Sequence, residues 1–174
     1  YAAAFKVEQI STLLGSPLET ITKILQRLRK IIKEEKIEFY SEEVTISPAT
    51  QKAVFMVLYL MFSEGYKTSN GKSILNIELC EDALTFAQII IRNERLVNPE
   101  AKALYALMLF NLSRFEARFT PEGDLIDLEN QDRSLWDTKM ISVGVMYLNE
   151  AKTEELSRYH LEAAIAFLHC SAQS

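Results

Sequence analysis

A chain of 174 residues, 48% hydrophobic and 25% charged, can bury a core as one or two globular domains. Its longest apolar run, Val54 to Phe62, falls well short of the ~20 residues that span a bilayer, which excludes a transmembrane helix there. The net charge is −5, and the two cysteines, Cys80 and Cys170, have neither a disulfide nor a metal spacing, so they read as reduced thiols in a cytosolic protein without a cofactor.

Few glycines and prolines among long 3.6-period runs predict an all-α fold. Val7, Ile10, Leu13 and Leu14 share one face of a first short helix, in which a start among Ala2, Ala3 and Ala4 is open because no capping residue precedes it. Gly15 ends that helix in the left-handed conformation. Ser16 as N-cap, Pro17 at the first helical position and Glu19 at the third predict a capping box for the next helix. In that helix Leu18, Ile21, Ile24, Leu25, Leu28, Ile31 and Ile32 form the face to be buried. Thr20, Thr22, Lys23, Gln26, Arg27 and Lys30 line the opposite face. Short polar groups near the N-terminus and cations further along suit a helix in the major groove, although any bundle hairpin also has a polar outer face. Charge favours DNA. Residues 1–36 hold seven cations and four anions, a net of +3 in an otherwise acidic chain.

Residues 37–47 read as a polar linker, and residues 48–174 as a helical extension that continues into a longer chain. Ser47 and Pro48 start a helix apolar on almost every side, which implies cover on both flanks. A turn at Thr68–Lys72 leads to a helix over 73–96, with Ile74, Ile77, Leu84, Ala87, Ile90 and Ile91 inward. Asn98 and Pro99 cap another that runs to about Arg118. Thr120-Pro-Glu-Gly123 is a type I turn signal, so a hairpin-like loop is expected over 119–130. The segment from Asp132 to Asp137 then starts a helix through about Lys152, and Thr153 caps a last one carrying Leu156, Ala163, Ala164, Phe167 and Leu168.

No phosphate loop, nucleophile elbow or paired catalytic carboxylates can be read, so an enzyme is not expected. His160 and His169 lie too far apart along one helix to share a metal. Arg114, Glu116 and Arg118 form a charge cluster near the Asp132–Asp137 segment. Carboxylates and arginines at turns bind acidic ligands in some proteins, but more often they cap helices and tie loops to a bundle.

The stretch from Val7 to Ile32 resembles the promoter-reading helix-turn-helix of extracytoplasmic-function sigma factors of the sigma-70 superfamily. Three further segments resemble, in order, the signatures of one subgroup: Phe62-Ser63-Glu64-Gly65-Tyr66, then Ala103 to Phe110, then Glu129 to Asp137 with Asp132, Arg133 and Trp136. That subgroup carries a tetratricopeptide-like helical extension, and the resemblance implies an antiparallel bundle of this type for residues 48–174, although no ~34-residue repeat is legible. It also implies that Thr20, Thr22, Lys23, Gln26 and Arg27 read or brace the −35 element, with Arg29 and Lys30 on phosphates. Promoter DNA, the RNA polymerase core and a regulatory protein on the extension would be the partners. The region that binds core polymerase is not in this sequence. The competing expectation is a tetratricopeptide-like interaction scaffold without DNA contact. Exposure of the face bearing Thr22, Lys23 and Gln26 discriminates the two.

Overall fold

Seven α-helices and three short 3-10 turns make up the residues described by the computed structural model, namely 6–35, 46–66 and 77–171. The side chain of Leu13 is likewise left undescribed, and the expected turn at Thr68–Lys72 and the position of Ile74 lie outside these residues, as does most of the linker. The fold is all-α: among the described residues the only β-type pairing is one antiparallel bridge, Phe119 with Leu125. The chain divides into two compact units, Tyr1–Ser47 and Pro48–Ser174.

The first unit is a helix pair, α1 (Val7–Leu14) and α2 (Leu18–Glu34). α1 starts at Val7, where the Gln9 side chain accepts the backbone N–H of Lys6 at 2.8 Å and so occupies one orphan donor of the first turn. It ends in a Schellman turn. Gly15 takes φ 60°, the Ser16 N–H donates to Ser11 C=O at 3.1 Å, and the Gly15 N–H donates to Thr12 C=O at 3.3 Å. This closure corrects the expected capping box. Ser16 is committed to ending α1, its hydroxyl faces the Leu14 carbonyl at 3.4 Å, and Pro17 becomes the residue before α2 without any side-chain cap. The apolar face of α2 also departs from expectation. Only Ile21 is buried, whereas Leu18, Ile24 and Leu28 keep 45%, 48% and 49% exposure, because the eight residues of α1 cannot cover a helix of seventeen.

In the second unit α3 (Pro48–Tyr66) and α4 (Ile77–Arg92) pack together. α3 buries Phe55, Leu58, Met61, Phe62 and Gly65, spaced three and four apart, against Cys80, Ala83, Ala87 and Ile90 of α4. Its other side is not covered as expected: Val54, Met56 and Val57 are exposed. α5 (Pro99–Leu112) is the central helix and touches α3, α4, α6 (Thr138–Glu150) and α7 (Arg158–Ser171). Every residue from Ala103 to Phe110 is buried. Small alanines at 101, 103 and 106 let neighbours approach, and Leu104 and Phe110, fully enclosed, each contribute about 1.5–3 kcal/mol of apolar burial. Asn98 caps α5 by accepting the Ala101 N–H at 2.8 Å, and its own amide donates to Gln51 of α3 at 3.0 Å.

α5 stops at Leu112, six residues before the expected end, because burial on every side gives no period from which an end can be read. The 25 residues to α6 form a braced loop rather than a short turn. The Gly123 N–H donates to Thr120 C=O at 2.9 Å, closing the expected turn, and the Ile126 N–H donates to Arg118 C=O at 2.8 Å. The segment from Asp132 is not the start of α6. Asp132 caps a 3-10 turn over Arg133–Leu135, and Asp137 caps α6 by accepting the N–H groups of Lys139 and Met140, both at 2.9 Å. α7 begins after Ser157, so Thr153 is not its cap, and Leu156 precedes the helix. Ala163 and Ala166 of α7 are buried with Ala106, Leu107 and Phe110, whereas Ala164 and Leu168 are exposed.

Candidate nucleic-acid interface

The exposed side of α2 follows from its period. Lys23, Gln26, Arg27 and Lys30 recur at steps of three and four, so they form one continuous stripe, all exposed. Thr20 and Arg29 are exposed on its two margins, and Thr22 is half-buried at its edge. The Thr22 hydroxyl donates to Leu18 C=O at 2.8 Å, which leaves its oxygen lone pairs outward as acceptors. Two exposed ion pairs lie along the helix, Lys23 with Glu19 at 2.6 Å and Lys30 with Glu34 at 3.7 Å. Exposed pairs of this spacing are worth only ~0.3–0.5 kcal/mol, so a phosphate displaces either carboxylate at little cost. Glu19 thus holds Lys23 instead of capping the helix.

All seven residues expected to contact DNA therefore belong to one helix and reach solvent to some degree within the pair. The arrangement can present amide and hydroxyl groups to base edges and four cations, Lys23, Arg27, Arg29 and Lys30, to phosphates.

The three signature-like segments of the extension meet around the C-terminal end of α5. Tyr66, at the end of α3, stacks on Phe62 with ring centroids 5.5 Å apart and donates its hydroxyl to Asn111 C=O at 3.3 Å. The Arg118 guanidinium lies over the Tyr66 ring at 3.7 Å. Trp136 is buried, with the guanidinium carbons of Arg133 and Arg114 at 4.9 Å and 5.9 Å from its ring centre. Arg114 is buried and donates to Asn111 Oδ1 at 3.1 Å. Gly65 is buried and Glu64 half-buried. The Asp132 carboxyl is held below its usual range by hydrogen bonds from the hydroxyl and N–H of Ser134 at 2.7 and 2.9 Å. These contacts are the bracing that cap residues and loop arginines give.

His160 is a structural residue in α7. Ser157 donates its N–H to Nδ1 at 3.1 Å, with its hydroxyl 2.8 Å away, so Nε2 carries the proton and donates to Ala151 C=O at 2.9 Å. Among the described residues no group of three His, Cys, Asp or Glu is placed to hold a metal ion, and no helix is long and apolar enough to cross a membrane. The sequence did not single out Asn111 or Ser113, whose carbonyl accepts the Asp137 N–H at 2.7 Å, because neither stands in a motif and only the fold brings the loop onto them.

An uncharacterized protein of Rhizobium meliloti (strain 1021) is 36% identical over 122 residues, which cover 70% of this chain and 29% of that protein, so the chain spans less than a third of this relative's length. No solved structure matches. The model for a family of unknown function, DUF6596, matches residues 50–152, from the first turn of α3 to just past α6. That match covers more than half of the chain, which therefore belongs to the DUF6596 family.

Proposed function

We propose that this chain is the −35-reading and C-terminal part of a bacterial, cytoplasmic sigma factor of the extracytoplasmic-function group. The observation that carries this reading is the helix pair itself. A Schellman turn at Gly15 sets α1 against a second helix whose Lys23, Gln26, Arg27 and Lys30 form one exposed polar stripe. Tyr66 and Trp136, from two of the segments that resemble the subgroup's signatures, support it further, since each is held by an arginine, Arg118 over Tyr66 and Arg133 over Trp136. In this reading Thr20, Thr22, Lys23, Gln26 and Arg27 contact the −35 element, with Arg29 and Lys30 on phosphates. The tetratricopeptide-like extension receives a regulatory protein, and the whole protein binds RNA polymerase core. No residue acts as a catalyst.

A mobility-shift assay with the whole protein and promoter DNA tests the reading. Lys23→Glu with Arg27→Glu is expected to abolish −35 binding while the circular dichroism spectrum stays unchanged. Undiminished binding by a folded double variant contradicts the reading.

A second reading, a protein-interaction scaffold, is favoured by the apolar stripe of Leu18, Ile24, Leu28, Ile31 and Ile32 left exposed on α2. It differs in that α2 binds protein through this stripe and never DNA. Leu28→Lys would then disrupt function while Lys23→Glu would not.

A further inference from the structure

A groove of about 520 Å³ lies between α4, the end of α5, the 3-10 turn over Phe115–Ala117 and the start of α6. Its apolar lining comes from Ile77, Leu84, Leu112, Phe115, Leu135 and Met140. Leu135 is 51% exposed, an unusual position for a large apolar side chain on a loop that hydrogen bonds hold in place. The charged groups of the lining are all acidic: Glu81 from α4, Glu116 from the 3-10 turn and Asp137 at the cap of α6. All three are exposed, and none forms an ion pair among the described residues. Of the arginines nearest in sequence, Arg118 covers the Tyr66 ring, Arg114 donates to Asn111, and Arg133 lies against the Trp136 ring.

We propose that this groove docks a cationic amphipathic helix of a partner protein, with leucine-like side chains seated on Leu84, Phe115, Leu135 and Met140 and lysine or arginine meeting Glu81, Glu116 and Asp137. Charge complementarity selects the occupant. Glu81 and Glu116, which form no ion pair among the described residues, together with the remaining charge of the capping Asp137, repel an acidic or phosphorylated segment and attract a basic one, and the apolar floor requires more than charge. A helix fits because the lining consists of side chains from helices and loop turns, with no extended strand edge to which a β-type peptide could pair. The volume lies in the range of sites that enclose a few large side chains. The groove belongs entirely to the second unit, so the inference holds whether or not the helix pair reads DNA.

The test is a fluorescence-anisotropy titration of the 174-residue chain with synthetic peptides of about 18 residues, long enough for a marginal helix to be induced on binding. One peptide carries leucine and lysine at helical spacing. A second has the same composition in shuffled order, and a third replaces lysine by glutamate. The first is expected to bind more tightly than either of the others. Glu81→Lys with Glu116→Lys is expected to weaken it about tenfold, since two exposed pairs are each reversed. Glu154→Lys with Glu155→Lys, in the turn after α6, should leave the affinity unchanged. Hydrogen exchange slowed by the peptide in residues 77–85 and 112–117 places the contact independently of any variant. Equal binding of the shuffled peptide, equal loss in both charge-reversal pairs, protection elsewhere, or no binding of the amphipathic peptide each overturns the proposal.

Discussion

Arg118 places its guanidinium carbon 3.7 Å from the centre of the Tyr66 ring and donates through Nη1 to the backbone carbonyl of the same tyrosine at 3.1 Å. One side chain thus serves two ends: it satisfies a carbonyl at the C-terminus of α3 and covers the aromatic face beside it. Burial pushes the Arg118 pKa below its ordinary value, Tyr66 partly offsets that, and Arg114 adds repulsion. Arg118→Ala is expected to lower stability by about 1–2 kcal/mol, with Arg118→Lys between the two because an ammonium lacks the planar fork. Urea denaturation followed by circular dichroism measures this. An alanine variant within about 0.5 kcal/mol of the parent would remove the brace from the account of the fold.

His160 joins the end of α6 to the start of α7 through two hydrogen bonds at a buried site. Replacing it with alanine leaves the Ala151 carbonyl and the Ser157 N–H without this partner, at a cost of about 2 kcal/mol. Glutamine can still donate to Ala151, so His160→Gln should lose less than His160→Ala. Thermal melts of the two variants check the order, and equal melting temperatures in all three proteins would show that the staple contributes nothing.

Gly144 in α6 faces the Phe110 ring so closely that an added Cβ would lie 2.7 Å from the nearest ring atom. Alanine gains ~1 kcal/mol of helix propensity over glycine, but Phe110 is fully enclosed and has no room to yield. Overpacking wins. Gly144→Ala is expected to destabilise by about 1–3 kcal/mol, and a raised denaturation midpoint would contradict the packing described for α5 and α6.

Burial pushes the Cys80 thiol from 9.0 up to about 11 and the Tyr159 hydroxyl from 10.0 up to about 12, the latter helped by the negative charge of Glu100. Both groups fold in the protonated form. Their contribution is therefore complete below about pH 9 and is lost as pH rises through 9 to 12, because the unfolded chain releases these protons first. Denaturation midpoints should be flat from pH 7 to 8.5 with respect to these groups and fall above pH 9. In Cys80→Ala the fall above pH 9 should be shallower, since Cys170, whose thiol burial also pushes up, and then Tyr159 supply what remains. An identical alkaline profile in Cys80→Ala would refute the assignment.

Punctuation residues made much of this fold legible. Asn98 with Pro99, the Thr120–Gly123 turn and Gly15 each act where the sequence placed them, because a cap or a left-handed residue makes its hydrogen bond within a few positions. What depends on three-dimensional cover was not legible. The apolar period of α2 is real, yet a period shows which face is apolar and not whether anything lies against it. Asp132 and Asp137 look alike in sequence, five residues apart, yet the first caps a 3-10 turn and the second a helix, with the buried Trp136 between them. At the candidate interface the polar stripe follows from spacing, whereas Glu19 does not cap α2, because the Schellman turn shifts the start of that helix by one residue.

Transcription by RNA polymerase core from a promoter with a defined −35 element, with the whole protein added, tests the central claim most directly. The expected result is a promoter-specific transcript that disappears when the −35 sequence is altered and when Lys23→Glu and Arg27→Glu are combined. The absence of any transcript with the unaltered protein, or a transcript indifferent to both changes, would contradict it.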